Sequence, residues 1–326
     1  MNHRSVFSFI GLVLIIAVIA LAPLAGQKSW TAPHTPDGQP DLQGVWGFAT
    51  ITPLERPNDL AGKEFFTSKE AVEYEKTFLA RNNRDRRDGP IEADVSRAYN
   101  DFWWDSGNRV VSTRRTSLII DPADGKLPAL TAAGQKKAAD RAEIRRLHPM
   151  DGPENRPLGE RCLIWGTAGP PILPSAYNNN VRIVQAPGYV MILNEMIHDA
   201  RIVPLDGRPH LPKNIRSWMG DSRGHWEGNT LVIDTTNFTD KTNFRGADEN
   251  LHLIERFTRA SDDTLIYQFT VDNETAFSRS WTVELPMTKN PNPMFEYACH
   301  EGNYSLMNVL AGARAEDKAA EAAAKK

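Results

Sequence analysis

Ionisable and aromatic side chains gather in three stretches of this sequence. The first holds Glu195, His198, Asp199 and Arg201; the second holds Asp221, Arg223, His225, Trp226 and Glu227; the third holds Tyr297, Cys299, His300 and Glu301. An imidazole beside a carboxylate is the pairing that general acid–base chemistry uses, because the carboxylate orients the ring and stabilises its protonated form. His198 with Asp199, and His225 with Glu227, are therefore the candidate catalytic pairs. Glu195, Arg201, Asp221, Arg223, Trp226, Tyr297, His300 and Glu301 are the candidate ligand-binding residues, with charges to hold polar groups and rings to stack on.

Each stretch has a plainer reading. In an extended strand Glu195, Asp199 and Arg201 share one face, with His198 opposite. That face either points inward as a polar pocket or outward as a solvated wall, and a bulge at 198–199 would reverse it. Residues 221–227 either contact a ligand or form a glycine-bounded approach to a strand, with Trp226 in the core. Cys162 and Cys299 match no zinc or haem spacing, and in an oxidising compartment they are expected to form a disulfide; two buried thiols are the alternative. Cys299 next to His300 is a poor catalytic dyad, since such pairs are normally assembled from separate positions.

The histidines at 198, 210, 225, 252 and 300 show no H-E-x-x-H spacing, so no metal site is assigned, and no cofactor is identified. Glycine-rich phosphate loops are missing from the sequence. The net charge of −3 is spread along the chain, which argues against nucleic acid as a partner.

His3 and Arg4 precede an apolar run from Val6 to about Leu24, followed by the small residues Ala25 and Gly26. This reads as a signal peptide over 1–26, with an uncleaved anchor as the competing reading. Cleavage would leave no stable membrane span and a periplasmic or secreted protein; the oligomeric state cannot be read.

Pro, Gly and Asp crowd 30–57, an extended arm leading to a first strand at 42–50. Helices are expected over 64–82, with Ser68 as cap, and over 131–147, where Thr131 opens a charged, surface-lying run. Residues 83–89 read as a solvated turn, and 115–121 with 126–130 as a hairpin around Pro-Ala-Asp-Gly. Eight β-runs follow, at 181–185, 189–195, 200–205, 229–237, 252–259, 264–272, 280–285 and 294–299, separated by turn signals. The fold class is mostly β: an antiparallel up-and-down barrel or sandwich with an N-terminal arm and two helices. The parts are the arm with its helices (27–150), the barrel body (151–310) and a flexible or frayed helical tail (311–326).

The motifs PDLQGVW (40–46), FWWDSGNRVV (102–111), RRTSLIIDPADGKLP (114–128), EMIHDARIVPLDGRPH (195–210), MGDSRGHWEGNTLVIDTTNF (219–238) and FEYACHEGNYSLMNVLAGAR (295–314) resemble those of a large family of exported bacterial proteins. The resemblance implies export and a β-rich body and brings no agreed activity. Gly44-Val45-Trp46 is similar to the opening of lipocalins and other calycins. There the tryptophan closes the bottom of an up-and-down barrel and an arginine from a later strand stacks on it.

The leading expectation is a protein that binds a small organic molecule in the barrel mouth. The alternatives are a hydrolase or lyase using a His/carboxylate pair, and a structural envelope protein.

Overall fold

The computed structural model describes residues 30–96, 101–165, 168–242 and 244–325, so the expected signal peptide lies outside the described residues. The strands are β1 (Gly44–Gly47), β2 (Ile119–Asp121), β3 (Asn180–Ala186), β4 (Tyr189–Asn194), β5 (Ala200–Pro204), β6 (Asp221–Glu227), β7 (Thr230–Thr236), β8 (His252–Arg259), β9 (Thr264–Asp272) and β10 (Trp281–Lys289). The helices are α1 (Ser68–Asn82), α2 (Ile91–Ser96), α3 (Ala132–Leu147) and α4 (Tyr304–Ala324). No helix among the described residues is long and apolar enough to cross a membrane.

All ten strands belong to one antiparallel sheet, in the order β5-β4-β3-β1-β10-β9-β8-β7-β6, with β2 added beside β10. The sheet curls until its two edges, β5 and β6, come into contact, giving a nearly closed barrel. Strand parity explains why closure stops there. Nine strands that alternate in direction leave the first and last running the same way, so β5 and β6 cannot continue the antiparallel ladder. Side chains close the seam instead. A Cβ on Gly224 of β6 would sit 2.6 Å from Leu205 and 3.0 Å from Val203, so glycine is what lets the two edges approach.

Period-two alternation decides which side chains fill the barrel. Leu253, Glu255, Phe257 and Arg259 on β8 point in, as do Leu265, Tyr267, Phe269 and Val271 on β9 and Trp281, Val283, Leu285 and Met287 on β10. At one end Trp46 is fully buried, donates its Nε1–H to the carbonyl of Leu42 (2.8 Å), and lies under the Arg259 guanidinium, 5.9 Å from ring centre. Within the wall, the Pro-rich segment 168–173 inserts a plug. Ile172 is fully buried and its N–H donates to the Tyr267 hydroxyl (3.0 Å). The interior is thus a packed core of buried side chains.

Other differences from the sequence reading have local causes. The 115–130 hairpin does not form. β1 ends at Gly47, leaving the start of β10 free, and β2 pairs there through Asp121 with Thr282 and Ile119 with Val283. The expected strand at 294–299 is irregular, because Cys299 is bonded to Cys162 and the Tyr297 carbonyl is taken by His198. Thr67, not Ser68, caps α1, in a reciprocal capping box with Glu70. Two further helices appear: α2, and the exposed α4, which includes most of the expected tail.

Candidate functional site

Parity has a second result: β5 ends at one end of the barrel and β6 must begin at the other. Residues 205–220 therefore run back along the outside of the wall, and the second chemistry-rich stretch holds them there. His210 sits between two carboxylates, with Nδ1 2.9 Å from Asp221 Oδ2 and Nε2 2.8 Å from Asp234 Oδ1. Asp221 also accepts the Leu211 N–H (2.9 Å) and is paired with Arg223 (2.7 Å), whose Nε donates to the Pro209 carbonyl (3.1 Å). His252 Nε2 meets the other oxygen of Asp234 at 2.6 Å. Burial opposes ionisation of Asp234 and Asp221, yet their hydrogen bonds outweigh it and both carboxyls lie below their ordinary value.

The rest of that stretch is split by the strand. His225 and Glu227 are on the exposed outer face, 3.1 Å apart, and Glu227 also pairs with Arg256 (2.7 Å). Trp226 points the other way, against the barrel core, with its Nε1 buried and unbonded. No ligand could touch His225 and Trp226 from the same side of β6.

The first stretch is divided by a turn. Glu195 opens a 3-10 turn, Met196–His198, in which Ile197 and His198 both take positive φ (63° and 46°), a costly backbone for a β-branched residue. Glu195 is buried and accepts from Asn180 Nδ2 (2.7 Å). Arg201 enters the barrel interior and forms a two-bond pair with Glu255, which also accepts from the Tyr267 hydroxyl (2.8 Å). Arg201 is therefore part of the core and not in contact with Asp199 on a shared strand face.

The turn meets the third stretch. His198 Nδ1 is 2.7 Å from the Tyr297 carbonyl, and Asp199 lies in the field of both His198 and His300. Burial pushes the Asp199 carboxyl up despite these imidazoles. The Cys162–Cys299 disulfide fixes this segment, while Glu301 is exposed beside it and lines a shallow cavity with Tyr297. The fold thus unites His198, Asp199, Tyr297 and His300 and leaves them separate from residues 221–227 in every contact described above. Among the described residues, no group of three or more His, Cys, Asp or Glu side chains is placed to hold a metal ion.

A large concavity among the described residues lies elsewhere, between α1, the 101–114 segment and the outer wall at β1 and β10, with a volume of about 1240 Å³. Phe78 and Glu75 face it from α1, Trp104, Arg109 and Arg114 from the opposite side, and Pro286 and Thr288 from β10. Glu75 accepts the Val110 N–H (3.1 Å), Arg114 donates to Ser68 Oγ (2.7 Å), and the Arg84 guanidinium stacks 4.1 Å over Trp104. Arg109 makes no side-chain hydrogen bond or ion pair among the described residues. Thr50, Phe78 and Ser106 also line an inner recess of about 310 Å³, walled by Ile51, Leu54, Leu118 and Leu173 with Arg245 at its edge. This groove is polar outside and apolar within. Sequence reasoning missed it because its walls come from four separated segments; the FWWDSGNRVV run was its one visible signal.

Compared with protein-family models, curated proteins and solved structures, the chain matches none of them. Fold and cavities alone define it as a plugged, nearly closed antiparallel β-barrel with an external groove.

Proposed function

We propose that this is an exported, calycin-like barrel protein that binds a small amphipathic organic molecule in the groove between α1 and the barrel wall. The observation that carries the reading is the 1240 Å³ groove opening through Thr50, Phe78 and Ser106 into an apolar recess. The apolar part of the ligand occupies the recess. Its anionic or hydrogen-bonding part meets Arg109 and Arg114, with the Trp104 ring beside it. Trp46 under Arg259 supports the calycin-like kinship, and the N-terminal leader together with the Cys162–Cys299 bridge supports export to the periplasm or beyond.

Binding is favoured over acid–base catalysis by the positions of the histidines. The His225–Glu227 pair lies on an exposed outer face, and His198 has one ring nitrogen committed to a backbone carbonyl. Native mass spectrometry of protein isolated from its own host should show a retained small molecule. Ser106→Trp, which blocks the throat of the recess, should lose it. A ligand retained equally by this variant, or none in the parent protein, would refute the reading.

A further inference from the structure

A second cleft, of about 450 Å³, lies on the other flank of the plug, between the 157–165 loop and Lys241, Thr242 and Phe244. Its volume falls in the range of small-molecule sites, and its lining is mainly apolar: Leu158, Ile164, Trp165, Pro170 and Phe244. Phe244 is buried and its ring stacks on Trp281 (centroids 6.0 Å, planes at 15°), so the floor of the cleft is the outer surface of the barrel core. Trp165 forms a wall and lies tight against Gly159, where a Cβ would come within 2.7 Å of the indole. That ring cannot retreat, and the apolar surface is preformed.

Charge at the rim is one-sided. Glu160 is neutralised by a two-bond pair with Arg156 (2.9 and 3.0 Å). Lys241 is exposed, and its ammonium makes no hydrogen bond or ion pair among the described residues. An apolar slot with a single uncompensated cation at its edge selects a ligand with hydrocarbon at one end and one negative charge at the other.

We propose that this cleft is a second binding site, taking a small aromatic or short-chain aliphatic carboxylate, with its hydrocarbon between Trp165 and Phe244 and its carboxylate on Lys241. The site is independent of the groove beside α1, since the two share no lining residue.

Isothermal titration of the protein with 4-phenylbutyrate and with its neutral analogue 4-phenylbutan-1-ol tests this. The acid should bind about two- to fivefold more tightly than the alcohol, the effect of one exposed ion pair. Lys241→Met should equalise the two without weakening the alcohol, and Trp165→Ala should weaken both by about tenfold. Lys241 is a surface side chain, so its variant keeps the fold and the test informative even if Trp165→Ala does not. Ser106→Trp, which closes the groove, should leave both affinities unchanged. No saturable binding, equal affinities in the parent protein, or loss of binding in Ser106→Trp would each overturn the proposal, the last by placing the probe in the groove.

Discussion

Arg201 on β5 reaches across the seam of the barrel to Glu255 on β8, and both charges are out of contact with solvent. The pair spans the one place where the wall has no backbone ladder, with Ser222 of β6 alongside and bonded to Thr235 of β7 (2.9 Å). Removing one partner leaves an uncompensated buried charge, whereas removing both leaves only volume to fill. Glu255→Gln should therefore cost about 3–5 kcal/mol in urea unfolding, and Arg201→Met with Glu255→Leu clearly less than either single change. Additive losses in that cycle would show that the two groups do not act as a pair.

The outer histidine array makes stability depend on pH in a defined window. The hydrogen bond to Asp234 raises the pKa of His252 above 6.5 against the opposing effect of burial, so its contribution is complete below that value and fades as pH rises through the folded pKa. Asp234 is shifted the other way, below 3.8, so its contribution is present above that value and is lost as pH falls through its lowered pKa. Melting curves of the parent protein and of His252→Gln should differ most between about pH 4 and 6.5, by roughly 1–3 °C. The gap should close at alkaline pH, once the imidazole is neutral in the folded protein as well. A difference that stays constant across the range would remove the imidazolium from the explanation.

Asp248 reports on the acid side. Its side chain is almost fully buried and accepts from Asn273 (3.0 Å), Thr275, the Asn250 N–H (2.9 Å) and Lys137 of α3 (2.9 Å). Burial disfavours its charge, but these donors win and hold its pKa at about 2. Its contribution is thus present above 3.8 and disappears as pH falls toward 2. Asp248→Asn should lose about 2 kcal/mol at neutral pH and detach α3, raising hydrogen exchange over 132–147. Unchanged exchange there would mean α3 is held by other contacts.

The Cys162–Cys299 bridge joins residues 137 apart, a loop that contains β3 to β10. On the chain-entropy model such a closure restrains the unfolded chain by about 5 kcal/mol. Replacing both cysteines by serine should lower stability by several kcal/mol while the β-sheet circular dichroism persists at room temperature. It should also free the 295–303 segment, seen as proteolytic cleavage near Tyr297. Resistance equal to that of the bridged protein would show the segment is held by packing alone.

The barrel was legible wherever one face of a strand is buried, because alternation then survives in the residues: 252–259 and 264–272 are assigned to the residue. The sequence leaves Arg201 open between a polar pocket and a solvated wall, because the positive-φ turn at 197–198 interrupts the strand and nothing in EMIHDAR announces it; Arg201 takes the inward side. Its partner could have been found. Glu255 stands in phase with Leu253 and Phe257, and a carboxylate in an apolar register must meet a cation. The groove was out of reach, since helix, loop and wall residues become neighbours only after the sheet has curled. Residues 221–227 did stand out, and among them Asp221 and Arg223 secure the crossover that an odd-stranded barrel requires.

β1 lies between β3 and β10, with Trp46 opposite Lys289 on one side and Val181 on the other. The earliest strand to emerge thus gains its last neighbour only when nearly all of the chain has appeared. Such a wall cannot lock during synthesis. A chain of this kind stays unfinished, and so able to be threaded through a narrow passage, until β10 arrives to complete it.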